Sequence, residues 1–597
     1  MSAFYDQSSL VFLPSGYKDG KLYSQKPLST SGELSFSRGS DIEATRIGAD
    51  GLIHKAQVNL LLQSNSFDTT WVGSSASVTS GQSGYDGSSD AWLLDSSAGY
   101  LYQSISATGV HTISVYVKAG TAEGFRIRVD QATDANYIID LSDGSLISQS
   151  DNIAYKSTSV GGGWYRMEMA FLANTITNIQ FRITDLAGAT ASGTAYIQDA
   201  QLNYGLVAQD YQETTTAAVV NGITDNMPRL NYDPANPTCP SLLLEPSATA
   251  INQDSENFSG SYWTKGDLTV EQNTSETLDP SGNYSASKLT ETATTARHRL
   301  LSGAVTMAAV SNTSSVFLKK GTARYGFVTM SGAATSTIVV DLEDGTITDT
   351  SSSGTIVAQK VEDYGSGWYR ISVTALGIAG STSANLQFGS AGSATPSYTA
   401  NIPSFAGSTS NYLYAWGANL TNTGYLQSYI PTYGSSATRT SESCSKTGIA
   451  SLIGQTQGTI YFEVEQSNTS GVNGAWSISD GSSTNRITMN TTNDTSTNFT
   501  FSVAANYAGS GTVLMSADAT YAGTHKVAIK YSGTSMKLFV DGSEVDSATT
   551  TGFGNYTNYY LGANQVGGGA SETRNFLQGL LFTSALSDAD CITLTSL

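Results

Sequence analysis

The chain has 597 residues, of which 13% are charged, with a net charge of −20 and a pI of about 4.5. So acidic and Lys/Arg-poor a chain lacks the basic footprint that a phosphate backbone requires, and it disfavours anionic membrane surfaces as well. No apolar run reaches the ~18 residues of a membrane span, so neither nucleic-acid binding nor membrane insertion is expected.

Gly is frequent (59 residues), and Tyr (32) outnumbers Phe (19) and Trp (7). This is the composition of extended, polar-faced β-structure, with Tyr on half-buried strands and Gly in turns. The aromatic content argues against disorder. Cys239, Cys444 and Cys591 are far apart, odd in number and without CxxC spacing, so neither a disulfide framework nor a zinc site is indicated. The N-terminus has no basic region before Lys18, and no secretory signal is expected. At roughly 150 residues per domain, the length implies about four units.

Residues 1–57 read as a β leader. Residues 9–13 form a short apolar strand, residues 34–38 alternate, and Asp50-Gly51 makes a hairpin turn. A segment this small and this poor in apolar residues rarely folds alone. It is either an arm packed on the following domain or an anchor onto another subunit or larger particle, and in the second case its removal leaves the modules folded. A first module follows over 58–211. Residues 125–129 and 165–169 alternate with the period of two expected of half-buried strands. Residues 212–241, with Pro228, Pro234, Pro237 and Pro240, read as a linker. A second module spans 242–440, and a polar Ser/Thr hinge follows.

The third domain, 447–597, holds residues 459–464, 525–531, 536–540 and 576–582 as strands, joined in part by the hairpin turns Ser532-Gly533-Thr534 and Asp541-Gly542. Ser587 and Asp590 stand in capping-box spacing and head a short terminal helix. Short strands with evenly spaced turns predict an all-β chain of tandem antiparallel sandwiches.

The two modules are copies. Val115-Tyr-Val-Lys-Ala-Gly-Thr121 matches Val316-Phe-Leu-Lys-Lys-Gly-Thr322, and Ile139-Asp-Leu-Ser-Asp-Gly144 matches Val340-Asp-Leu-Glu-Asp-Gly345, at one offset of 201 (Val115 to Val316, Asp140 to Asp341). Gly163-Trp-Tyr-Arg166 then meets Gly367-Trp-Tyr-Arg370, and Leu202 and Tyr211 meet Leu420 and Tyr429 after small loop insertions. A near-constant offset marks duplication, and two copies are too few for a solenoid.

The second module carries a resemblance: Leu243-Leu-Glu-Pro246, Asn257-Phe258, Trp263, Asp341-Leu-Glu-Asp-Gly345, Gly367-Trp-Tyr-Arg370, Ala415-Trp-Gly-Ala418, Ser428-Tyr-Ile-Pro-Thr432 and Ala437-Thr-Arg439. The series resembles the carbohydrate-binding-module-like jelly rolls of bacteriophage head-spike and tail-fibre proteins. The first module departs from it, with Tyr211-Gln-Glu-Thr214 in place of the Tyr-Ile-Pro-Thr string and Gln198-Asp199 in place of Trp416-Gly417, so a ligand site there is expected to be degenerate. The leader also resembles phage proteins, through Tyr17-Lys-Asp-Gly-Lys-Leu-Tyr23, Phe36-Ser-Arg38, Ala44-Thr-Arg46 and Asn59-Leu-Leu-Leu-Gln-Ser64. The third domain is similar to concanavalin A-like (laminin-G-like) sandwiches through its strand–turn–strand pattern and Val540-Asp-Gly542.

The resemblance implies two jelly rolls and a concanavalin A-like sandwich in a structural virion protein. Such a protein is assembled in the host cytoplasm and exposed on the particle. It is anchored to other virion proteins through residues 1–57, it touches host surface glycans, and it is a homo-oligomer, expected to be a trimer. The alternatives are a polysaccharide-degrading enzyme or a bacterial glycan-binding adhesin.

Sugar binding on a β-sandwich needs aromatic faces with a few fixed polar groups. Along residues 368–373, Tyr369, Ile371 and Val373 point to the core, while Trp368 and Arg370 point the other way. That pair is either a stacking platform with a hydroxyl donor or a Trp covered by a loop with Arg stacked on it. Both copies keep it, as a framework would. In the third domain Trp476, Asp480, Tyr556, Tyr559 and Asn564 suit glycan contact from strand ends and loops, or are ordinary strand residues. Asp140/Asp143 and Asp341/Glu343/Asp344 offer carboxylates to calcium, although Asp-Gly explains itself as hairpin chemistry. No other cofactor is indicated. The four His are isolated, with no Gly-x-Ser-x-Gly or HExxH motif, and no enzymatic activity is expected.

Overall fold

A computed structural model of the chain describes residues 2–18, 20–307, 311–332, 334–376, 383–466, 472–493, 498–509, 513–520, 523–563 and 574–596. Strand accounts for 54% against 4% helix, and the sheets are antiparallel, which makes the fold all-β as the turn spacing predicts.

In the first module the strand Ala91–Ser104 belongs to both layers. Its residues 101–104 pair with Asn178–Thr184, and residues 92–97 pair with Ser192–Tyr204. The sheet therefore folds over on itself. One layer continues through Gly124–Asp130 and Ala135–Asp140, the other through Gly109–Ala119 and Trp164–Ala173. Alternate residues meet between them: Ile113, Val115 and Val117 from one layer, Phe125, Ile127 and Val129 from the other.

The second module repeats this plan. Ser311–Lys320 lies between Trp368–Leu376 and Tyr412–Thr421, and Tyr325–Ser331 between Thr335–Asp341 and Asn385–Ser390. The copy extends to irregularities. A bulge between Ser114 and Tyr116 recurs between Ser315 and Phe317. In both Asp-Gly hairpins the glycine amide donates to the Asp140 or Asp341 carbonyl (2.8 and 2.9 Å), at φ of +75° and +76°, a conformation open to glycine at little steric cost.

The C-terminal sandwich is built from both ends of the chain: residues 1–57 pack as an arm, and the domain their first strands join is the last one rather than the one that follows. Leu10–Phe12 pairs with Arg574–Phe582, and Glu33–Ser37 pairs with Ser443–Lys446. Leu10, Phe12, Leu22, Leu34 and Phe36 share one core with Phe462, Ile529 and Leu581. Within the arm Thr45–Ile47 pairs with Ile53–Lys55 as a small sheet, while its earlier strands complete sheets whose edges are otherwise open. The stretch read as a linker behaves alike: Arg229–Asn231 pairs with Ser241–Leu244, which pairs with Arg574–Phe582.

The arm then crosses to the modules. The Thr45 hydroxyl donates to the Tyr429 carbonyl (2.6 Å), the Ile53 amide donates to the Pro280 carbonyl (2.8 Å), and Gln57–Asn59 pairs with Val219–Asn221.

Where arm, linker and second module meet, five charged side chains are fully buried. Arg38 reaches Glu442 (2.9 Å), Arg229 bridges Glu442 and Glu245 (2.5 and 2.8 Å), and Arg439 reaches Glu245 (2.7 Å). Each carboxylate takes further hydrogen bonds, from the Glu245 amide to Glu442 (2.9 Å) and from the Ser428 amide to Glu245 (2.8 Å).

The terminal helix is Asp588–Ser596, and the Ser587 hydroxyl oxygen accepts the Asp590 amide (3.0 Å) as the capping spacing predicts. A second helix, Ser2–Gln7, went unread because its six residues carry almost no periodic signal. It is held by Phe4 against Leu586 and Leu594 of the C-terminal segment.

Candidate functional site

Trp368 and Arg370 do leave the core face of their strand, but they do not reach solvent, and the platform reading is corrected. Trp368 is 1% exposed and Arg370 2%. The Trp368 indole NH donates to the Leu278 carbonyl (2.8 Å). Arg370 donates to the Gln427 carbonyl (2.7 Å) and lies over the Phe317 ring (5.3 Å). Two covers close this face. One is the loop around Asp279, whose carboxylate accepts the Ser281 amide (2.6 Å) and the Ser285 amide (3.2 Å). The other is the arm: Ile53 packs with Phe317, Trp368 and Trp416, and Lys55 lies 4.8 Å from the Trp416 ring centroid while paired to Glu256. A cavity of about 450 Å³ persists beside Arg370, bordered by Arg46, Asn231, Lys360, Glu362 and Glu465.

In the C-terminal sandwich Trp476, Tyr556 and Tyr559 are buried. Trp476 packs against Phe462 and Tyr559, and Tyr556 against Tyr531. These rings build the core and cannot stack on a sugar. The Asp480 carboxylate closes its own turn, accepting the Ser482 amide (2.8 Å) and the Asn485 side chain (2.7 Å). Asn564 lies outside the described residues. The carboxylates weighed for calcium are turn acceptors too: Asp140 from the Ser142 amide, Asp143 from Ser145, Asp344 from Thr346, while Asp341 is gripped by Arg324 (2.7 Å). Among the described residues no three His, Cys, Asp or Glu come together as a metal site.

On the face equivalent to Trp368–Arg370 in the first module, Arg166 donates to the Gln209 carbonyl (2.5 Å), and the Gln209 side chain donates to the Ala56 carbonyl of the arm (2.9 Å). Trp164 of this face is buried, but Tyr116 and Tyr196 on the neighbouring strands and Tyr85 on the covering loop keep part of their surface in solvent. Tyr85 stacks flat on Tyr116 (3.7 Å, 6°) and meets Trp164 edge-on (6.3 Å). Tyr196 adjoins Trp164 (6.5 Å), Lys118 lies 6.0 Å from the Tyr196 centroid, and Arg166 lies 5.6 Å from that of Tyr116.

Gln198, which stands where the second module has Trp416, holds the loop by donating to Asp90 (2.8 Å) and Ser88 (3.3 Å). The Tyr85 hydroxyl donates to Asp199 (3.0 Å). Burial, with Asp90 and Asp86 nearby, pushes the Asp199 carboxyl up to about 7. The result is a patch of aromatic rings bordered by two cations and by the exposed carboxylates of Asp86 and Asp90. Such a patch suits the C–H faces and hydroxyls of a sugar.

The sequence reading passed over these residues, taking Gln198 for a lost Trp. The available signal was the offset of 218 that sets Tyr196 opposite Tyr414 on the same outward row.

No protein-family model matches the chain, and no curated protein does. Among solved structures, the chain is similar to the carbohydrate-binding module CBM40 of the Ruminococcus gnavus IT-sialidase bound to alpha2,3 sialyllactose, at 18% identity, over 24% of this chain and 86% of that one, with a TM-score of 0.21. It is similar to a SAP-like pentraxin from Limulus polyphemus (14%, 24% and 70%, TM-score 0.20) and to domains LG4-5 of the mouse laminin alpha1 chain (13%, 48% and 89%, TM-score 0.17).

Proposed function

We propose that this chain is a glycan-binding attachment protein, in keeping with the phage spike or fibre that its second module and arm resemble, and that the first module carries the contact. One observation supports this above the others: on the second module's outward face the arm's Ile53 packs with Trp368 and Trp416, whereas on the first module's face Tyr85, Tyr116 and Tyr196 keep part of their surface in solvent among polar groups. A sandwich that only needed to be stable would cover both.

In this reading the chain sits on the particle surface as a homo-oligomer. Each sugar contact is weak, and tethered copies raise the effective concentration. The surface that meets other virion proteins then lies on the outside of the C-terminal sandwich, because the inner face of residues 10–37 is spent on that sandwich's core.

The test is titration of the full chain with host surface polysaccharide. Tyr85→Ala and Tyr196→Ala are each expected to weaken binding about tenfold, the scale of one lost ring contact, with Tyr85→Ala also lowering thermal stability because its hydroxyl donates to Asp199. Equal binding by both variants, or new reducing ends released from the polysaccharide, would overturn the proposal.

A further inference from the structure

A second cavity, of about 670 Å³, lies between the two modules. From the first module come Leu60, residues 105–108, His111 and Tyr204; from the second, residues 431–433 and 435–438; the arm adds Ile42 and Glu43. Its walls are held in register. The Val110 amide donates to the Tyr433 carbonyl (2.7 Å), and a Cβ on Gly109 would stand 1.6 Å from that oxygen, so the backbones touch as closely as glycine permits.

Three features of the lining point to a ligand. Tyr204 stacks with Tyr433 (5.4 Å, 26°) and meets His111 at a tilt (4.8 Å, 41°), a continuous aromatic wall shared by both modules. His111 is 1% exposed, and its Nδ1 donates to the Gly109 carbonyl (3.1 Å). That bond fixes the tautomer and leaves Nε2 as a bare acceptor, and this buried atom has no hydrogen-bond partner. A buried acceptor left unmet is destabilising unless something donates to it. Finally, the remaining polar lining is hydroxyl and carboxyl: Ser106, Thr108, Ser435, Ser436, Thr438 and Glu43, with no Lys or Arg.

We infer that this inter-module cavity is a second binding site, for an uncharged saccharide residue that stacks on Tyr204 and Tyr433 and donates a hydroxyl or amide hydrogen to His111 Nε2. Without a cation the site has nothing to neutralise an anionic sugar, and Glu43 opposes one. The inference rests on the glycan-binding reading, but it uses residues that the first-module face does not share. Because both modules supply walls, the site exists only where they are docked, which gives the duplication a purpose beyond a repeated face.

The experiment uses the full chain with histidine 15N-labelled, titrated with D-glucose, D-galactose and N-acetyl-D-glucosamine. With four His in the chain, His111 is assigned by its absence in His111→Phe. At least one sugar is expected to move the His111 Nε2 resonance. His111→Phe, which keeps a ring between Phe171 and Tyr204, is expected to weaken that sugar about tenfold, the loss of one hydrogen bond. Ser436→Trp on the exposed rim, which fills the cavity without touching His111, should do the same even if His111→Phe folds poorly. Binding that Tyr196→Ala weakens, but that leaves the His111 signal and both cavity variants unchanged, overturns this site and spares the first-module face. Binding of none of the three sugars by any form of the protein overturns the site, and failure with polysaccharide as well overturns the glycan reading.

Discussion

Arg229 commits both ends of its guanidinium to carboxylates that have no access to water. Burial alone would push Glu245 up, but Arg439 and Arg229 outweigh it and hold the carboxyl at about 2. A carboxylate depressed in this way stabilises the fold above its ordinary value, and that contribution is lost as pH falls from the ordinary Glu value, ~4.3, toward 2. Loosening of the junction is therefore expected in that window, read as acid-induced exposure of the arm to protease. Removing one partner strands a buried charge, so Arg229→Met or Glu442→Gln should cost about 3–5 kcal/mol in denaturant unfolding.

Asp199 has the opposite sign. Its carboxyl is raised to about 7 by burial beside Asp90 and Asp86, so the native state favours the proton and loses stability as pH climbs from ~3.9 to 7. Asp199→Asn should be the more stable protein above pH 7, with the difference vanishing in acid. The opposite trend would show that Asp199 is ionised and satisfied.

At the scale of elements, period-two alternation made the strands legible, and shared strings made the duplication legible. Residues 368–373 divide between core and outer face as their alternation predicts, and Ser587 caps the helix it was expected to cap. What could not be read was pairing at long separation. Nothing local in residues 10–12 says that they will lie against residues 579–581, because hydrophobic pattern and turn geometry fix register between neighbours but do not name a partner remote in sequence. The same cause hid the burial of Trp368: its covers are Ile53 and the loop before Ala286, both remote in sequence. Tyr85, Tyr116 and Tyr196 escaped notice for the same reason, since how far each is covered depends on the loop of residues 85–90, which Gln198 holds in place from over a hundred residues away.

Two consequences belong to this scale. Phe36 is buried in the C-terminal core, so Phe36→Ala should destabilise that sandwich by about 3–5 kcal/mol, and deletion of residues 1–37 should leave it open to proteolysis. Survival of a compact C-terminal fragment after that deletion would mean the arm is dispensable. At the module joint, Gly109→Ala cannot be accommodated against the Tyr433 carbonyl without parting the backbones. Cleavage between residues 212 and 241 in limited proteolysis should become faster in that variant, with each module still folded.

For the whole molecule, one strap of about sixty residues ties three sandwiches together. It completes the sheets of the last, seals the outer face of the second and pairs beside the first. A flexible string of modules would gain nothing from a buried five-charge junction or from a glycine-only contact between copies, whereas an attachment protein gains fixed spacing between its contact faces. In the proposed function the duplicated faces differ in role: the second module is structural, and the divergent first module makes the glycan contact.

The most direct measurement is retention of the full chain on an array of bacterial surface glycans, beside a Tyr85→Ala/Tyr196→Ala double variant and a Trp368→Phe variant. Glycan retention that the double variant loses, and that Trp368→Phe keeps at reduced thermal stability, is the predicted result. Retention that survives the double variant and vanishes with Trp368→Phe would contradict it, because the closed face would then be the one that binds.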